Sequence, residues 1–138
     1  MTILNRRTIA ALAVGAFALA VSIGGVTAKP TADAWETSDI MKKINGKGKG
    51  ALDKTNAAVK DGKWDDAAKQ VEALKHGEDL VKNKPNKGEN NSWEKLAKAY
   101  GENTKNVVSA IEKKDKDAFD KSAKAIGGSC KSCHDAHK

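Results

Sequence analysis

From about residue 40 onward, apolar residues recur three and four positions apart, and that spacing predicts helices. The earliest set is Ile40, Met41 and Ile44, followed by Leu52, Thr55 and Val59. A second runs from Trp64 through Ala67, Ala68, Val71 and Leu74 to Leu80. A third starts at Trp93 and takes in Leu96, Ala97, Tyr100, Val107 and Ile111. The last starts at Phe119 and continues through Ala123, Ile126, Cys130 and Cys133. Each set falls on one face of a helix. No stretch alternates well enough to predict a strand.

The joints between these sets carry helix-breaking chemistry. The segment NGKGKG, Asn45 to Gly50, interrupts or kinks the first helix, because glycine is costly inside helices. KDGKW separates the first and second units. NKPNKGENNS is a loop with Pro85 and Gly88 as breakers, and Ser92 is the expected N-cap of the third helix. KKDKD leads into the fourth, with Asp115 or Asp117 near its start. Joints this short make successive helices antiparallel neighbours. The expected fold is all-α, an up-down-up-down antiparallel four-helix bundle. The four units share spacing but not residues, so they are not internal repeats.

The first 28 residues stand apart. MTILNRR is a short basic stretch, TIAALAVGAFALAVSIGGV is apolar, and Val26-Thr27-Ala28 ends it with small residues. That order is the tripartite secretory signal, with cleavage expected after Ala28. The apolar run is nearly long enough for an uncleaved anchor, but Gly15, Gly24 and Gly25 and the small-residue end favour cleavage. The domain is then expected over residues 29–138, in the periplasm, with the membrane met only through the signal segment.

Removal of residues 1–28 takes Arg6 and Arg7 and no acid, leaving 23 basic against 18 acidic residues, formally +5. The charges are interspersed, as in EKKDKDAFDKSAK, which is the pattern of a solvated helical surface. With no dense basic run and only 4% aromatics, nucleic acid is not an expected partner. The scarcity of aromatics also leaves a thin core, which a bound cofactor would help to complete.

The two cysteines close the chain, in GGSCKSCHDAHK. Cys130, Cys133 and His134 stand at i, i+3 and i+4, so a helix would project all three to one side. Cys-x-x-Cys-His is the attachment pattern of a c-type haem: two thiols add to the vinyl groups and the histidine reaches the iron. Three rivals compete for the same residues. Zinc would recruit Cys130, Cys133, His134 and His137, but one helix cannot easily wrap a tetrahedron. A reactive dithiol is usually placed after a strand, at a helix N-terminus. A structural disulfide suits an exported chain but leaves His134 without a purpose.

A haem motif at the C-terminus, on the last of four helices, resembles the class II c-type cytochromes, the cytochrome c-prime and cytochrome c-556 group. The resemblance covers nearly all of residues 36–138 and is strongest at SDIMKKINGKGKGAL and SCKSCHDAHK. It implies one covalent haem c, held by Cys130 and Cys133, with His134 as proximal iron ligand. It also implies that the residue presented by the first helix decides the chemistry. A methionine there gives a six-coordinate, low-spin electron carrier. A leucine or phenylalanine gives five-coordinate iron that binds small gases such as nitric oxide or carbon monoxide.

The corresponding residue is Met41, the only methionine beyond Met1. A thioether is a soft ligand, and Met/His ligation raises the reduction potential. Met41 could also be plain core filler beside Ile40 and Ile44. Where the family has an aromatic and an arginine after the haem histidine, this chain has His137 and Lys138. His137 is expected at the surface. His76 is expected to face solvent, and is the alternative sixth ligand should Met41 fail. Trp64 and Trp93 should pack into the core, the safer expectation, or flank the haem, and Trp35 should staple the start of the first helix. No set of catalytic side chains stands out. The expected function is non-enzymatic: one-electron transfer between redox partner proteins, with gas binding as the alternative and a homodimer compatible with either.

Overall fold

The first expected helix divides where its glycines fall. In a computed structural model of the chain, which describes residues 34–138, α1 spans Thr37–Lys43 and α2 spans Ala51–Lys60. The expected signal segment lies outside the described residues. Between α1 and α2 the chain folds back on itself, with the Gly50 N–H donating to the Gly46 carbonyl at 2.6 Å and Leu52 N–H to that of Ile44 at 3.0 Å. A Cβ on Gly50 would collide with the carbonyl oxygens of Ile44 and Gly46, so this approach needs glycine. The turn places Ile40 and Ile44 of the first stretch and Leu52, Thr55 and Val59 of α2 in one core.

The second unit departs from the expected single helix. It consists of α3 (Trp64–Ala68), α4 (Val71–Lys75) and a 3-10 helix (His76–Lys82). The buried positions follow the sequence spacing, since Ala67, Leu74 and Leu80 are all within 1% of full burial. The backbone does not, because helices this short gain little from propagation and take the shape their tertiary contacts impose. Those contacts converge on Asp79, which is 7% exposed. Its carboxylate accepts from the Trp35 N–H at 3.2 Å and from Lys82 Nζ at 2.7 Å, and pairs with His76 Nδ1 at 2.8 Å. Asn83 extends the network by donating to the carbonyls of Trp35 (3.0 Å) and Asp79 (3.2 Å). The start of α1 is thereby tied to the 3-10 helix.

Two long helices complete the chain: α5 (Asn90–Lys113) and α6 (Lys116–His137). Trp93, Ala97, Tyr100, Val107 and Ile111 on α5 are buried, as are Phe119 and Ile126 on α6. Lys114 ends α5 in the left-handed conformation, φ 54° and ψ 35°, and its N–H caps the Ala110 and Ile111 carbonyls. Asp115 opens α6, its side chain accepting from the Ala118 N–H at 3.0 Å, which is the expected N-cap chemistry. So short a link makes the two helices antiparallel, and Ser92 near the start of α5 meets His137 at the end of α6. Ser92 is not an N-cap. Glu89 holds that position, and the Ser92 hydroxyl lies 3.0 Å from the Glu89 carbonyl and 3.1 Å from His137 Nε2.

Among the described residues the chain is all-helical, with no strand. None of the helices among the described residues is long and apolar enough to cross a membrane. Every buried side-chain polar atom among them has a hydrogen-bond partner.

Candidate functional site

The last three turns of α6 bring Cys130, Cys133, His134 and His137 onto one stripe, as their i, i+3, i+4 and i+7 spacing requires. Both cysteines are free thiols, Cys130 exposed and Cys133 half-buried. Cys130 Sγ lies 3.4 Å from the Ile126 carbonyl one turn back, to which it can donate. Burial, and then the neighbouring Cys130, pushes the Cys133 thiol up, which favours the neutral S–H form. A dithiol built for exchange chemistry would lower it instead, and this pair sits at the C-terminal end of its helix.

Met41 of α1 comes to the same place. A hollow of about 460 Å³ is lined by Met41, Trp93, Cys133, His134 and His137, with Lys42, Lys84 and Lys138 also on its walls. A second, of about 200 Å³, is lined by Met41, Leu80, Leu96, Tyr100, Cys130, Cys133 and His134, among others. Met41, Cys133 and His134 belong to both, so the two spaces adjoin along these residues. The larger is of the size that holds small molecules and cofactors. His134 itself is exposed.

The smaller hollow contains a polar contact with no counterpart in the sequence reading. Asn45, just past the end of α1, places its amide nitrogen 2.7 Å from Tyr100 Oη and 3.7 Å from Met41 Sδ. Burial pushes the Tyr100 phenol up, an effect the Asn45 hydrogen bond only partly offsets, so the phenol stays neutral.

Two histidine expectations are corrected. His137 is not a surface residue: it is 3% exposed. One ring nitrogen, Nδ1, sits 3.0 Å from the Lys87 carbonyl, and Nε2 sits 3.1 Å from Ser92 Oγ. The ring stands edge-on to Trp93 with centroids 5.5 Å apart. The physical reason is continuity of the apolar stripe, since Ile126, Cys130, Cys133 and His137 follow one another at helical spacing. His76 does not face solvent freely. It stacks on Trp35, centroids 4.1 Å apart and planes 4° from parallel, and its Nδ1 is engaged by Asp79. It lines neither hollow, so it is not placed to replace Met41.

Trp93 is buried as expected, at 4% exposure, and its indole N–H donates to the Asn83 carbonyl at 2.7 Å. Trp35, just before α1, packs against the core and on His76, with the ammonium of Lys43, the last residue of α1, 4.4 Å over its ring. Among the described residues, no three His, Cys, Asp or Glu side chains converge as a metal-ligating group. Haem iron needs no such group, because the macrocycle itself supplies most of its donors. Comparison with protein-family models, curated proteins and solved structures returned no match.

Proposed function

We propose that this chain is an exported, single-haem c-type cytochrome that carries single electrons between redox partner proteins in the periplasm. The observation that carries the reading is the meeting of Met41 with Cys133 and His134 along two adjoining hollows. A soft thioether and an imidazole reach one space from helices far apart in sequence, and that donor pair suits low-spin haem iron.

The residues present fit the group. Cys130 and Cys133 are free thiols at the attachment spacing and would hold it through sulfur. His134 would supply the proximal nitrogen and Met41 the distal sulfur. Leu80, Leu96 and Trp93 offer apolar walls that limit water. Lys42, Lys84 and Lys138 offer ammonium groups for its carboxylates. When bound, haem supplies the one-electron iron couple. The chain's part is to fix both ligands on packed helices, so that little rearranges as the charge changes. On this reading α1 with α2, the segment from α3 through the 3-10 helix, α5 and α6 serve as the four members of a bundle around the group.

The test is a pyridine haemochrome assay on protein matured in a host with haem-attachment machinery. Covalent haem at one per chain, lost when Cys130 and Cys133 are both replaced by Ala, supports the reading. Protein exported and folded without covalent haem overturns it.

A further inference from the structure

Among the described residues, Asn45 is the one side chain that hydrogen-bonds the Met41 sulfur. An amide NH2 carries two hydrogens, so Asn45 can donate to the Tyr100 oxygen and to the Met41 thioether together. The first contact is short, at 2.7 Å, and anchors the amide to α5. The second, at 3.7 Å, is within reach of a large, weakly accepting sulfur. Tyr100 is 6% exposed and built into a long helix, so the anchor is rigid. Met41 by contrast has an unbranched side chain with three rotatable bonds, which adopts many shapes unless something selects one.

We propose that Asn45 is a positioning residue for the Met41 thioether, holding it by a hydrogen bond that leaves the sulfur's other lone pair free for a metal. The inference rests on the reading of Met41 as the distal iron ligand. A thioether carries two lone pairs. With one engaged by the Asn45 N–H, the other is the one left to donate, and the rotamer that presents it is selected before the ligand bond forms. The same hydrogen bond withdraws electron density from sulfur. A poorer donor favours the ferrous over the ferric state, so Asn45 also raises the reduction potential. Tuning of a ligand by its hydrogen-bonded neighbour is the usual route to such control.

The experiment compares the holoprotein with Asn45→Leu, Asn45→Gln and Tyr100→Phe. The readouts are the one-electron midpoint potential and the far-red sulfur-to-iron charge-transfer band of the ferric form. Asn45→Leu removes both donors at similar volume and should lower the reduction equilibrium constant about threefold, or about 30 mV on a one-electron scale of 59 mV per tenfold. The charge-transfer band should weaken with it. Asn45→Gln keeps an amide donor and should recover part of both. Tyr100→Phe removes the anchor and should shift the potential the same way by less. If Asn45→Leu does not fold, Tyr100→Phe carries the test. A wild-type protein with the band, and variants with unchanged band and potential, overturns the role of Asn45 and leaves Met41 as ligand. A wild-type protein without the band, and unaltered by Met41→Ala, overturns both.

Discussion

His137 Nε2 lies 3.1 Å from Ser92 Oγ, which joins the last turn of α6 to the first turn of α5. With Nδ1 facing the Lys87 carbonyl and the ring edge-on to Trp93, every polar position of the imidazole is used. The contact closes the helix pair at the end that carries Cys133 and His134. His137→Ala should therefore cost about 2–3 kcal/mol, from lost packing and two lost hydrogen bonds. Ser92→Ala should cost about 1 kcal/mol. Urea unfolding measures both, and a His137→Ala protein within about 0.5 kcal/mol of wild type, as for an ordinary surface change, would contradict the clamp.

Gly88 lies against the same histidine. Its φ is +83°, and a Cβ there would stand 2.5 Å from the Ala136 carbonyl oxygen and 2.8 Å from His137 Nδ1. Gly88→Ala should lose about 2 kcal/mol or more, from left-handed strain and the displaced ring together. The companion measurement is hydrogen exchange at the end of α6, where protection should fall. Unchanged protection would show that the loop does not press on this helix.

The positions that the sequence made readable are those whose burial follows local periodicity. Trp93, Tyr100, Val107, Ile111, Phe119 and Ile126 are buried where their spacing places them. The glycine interruption after Ile44 and an aspartate at the start of the last helix are equally local, and both stand as expected, Asp115 rather than Asp117 being the cap. The division of the second unit was not readable, because it follows from Asp79 gathering partners as distant as Trp35. His137 is buried, against the sequence expectation, although the stripe through Ile126, Cys130 and Cys133 runs on to it. Asn45 offered no signal, being polar and set among glycines, and only the fold brings it to Met41 and Tyr100.

Asp79 makes the fold acid-sensitive. Burial alone would raise its carboxyl, but hydrogen bonds from Lys82, His76 and the Trp35 N–H outweigh that and hold it below the usual range. A carboxyl depressed in the folded state contributes its full stability above its unfolded value of about 3.9. That contribution is lost as pH falls further, through the folded value. Asp79→Asn should cost about 2 kcal/mol at pH 7, and the gap to wild type should narrow below about pH 4. Thermal unfolding across pH 2–7 checks this, and a gap independent of pH would contradict it.

Lys114 holds a left-handed conformation at the end of α5 without being glycine. Lys114→Gly should stabilise the protein by about 0.5–1 kcal/mol, since glycine is the residue this cap prefers. A higher urea midpoint with unchanged slope is the expected result. A lower midpoint would mean that the lysine side chain contributes more than its backbone costs.

On the proposed reading, Met41 decides between an electron carrier and a gas-binding site. In the haem-bearing protein, Met41→Ala should turn a low-spin spectrum into a high-spin one and admit carbon monoxide. An unchanged spectrum would remove Met41 from the iron.

The most direct measurement is the visible spectrum of the reduced wild-type holoprotein, with and without carbon monoxide. Sharp low-spin bands that carbon monoxide leaves unchanged are the predicted result, since Met41 and His134 would both hold the iron. A broad high-spin band that shifts on adding carbon monoxide would contradict it, and would make this a gas-binding haem protein rather than an electron carrier.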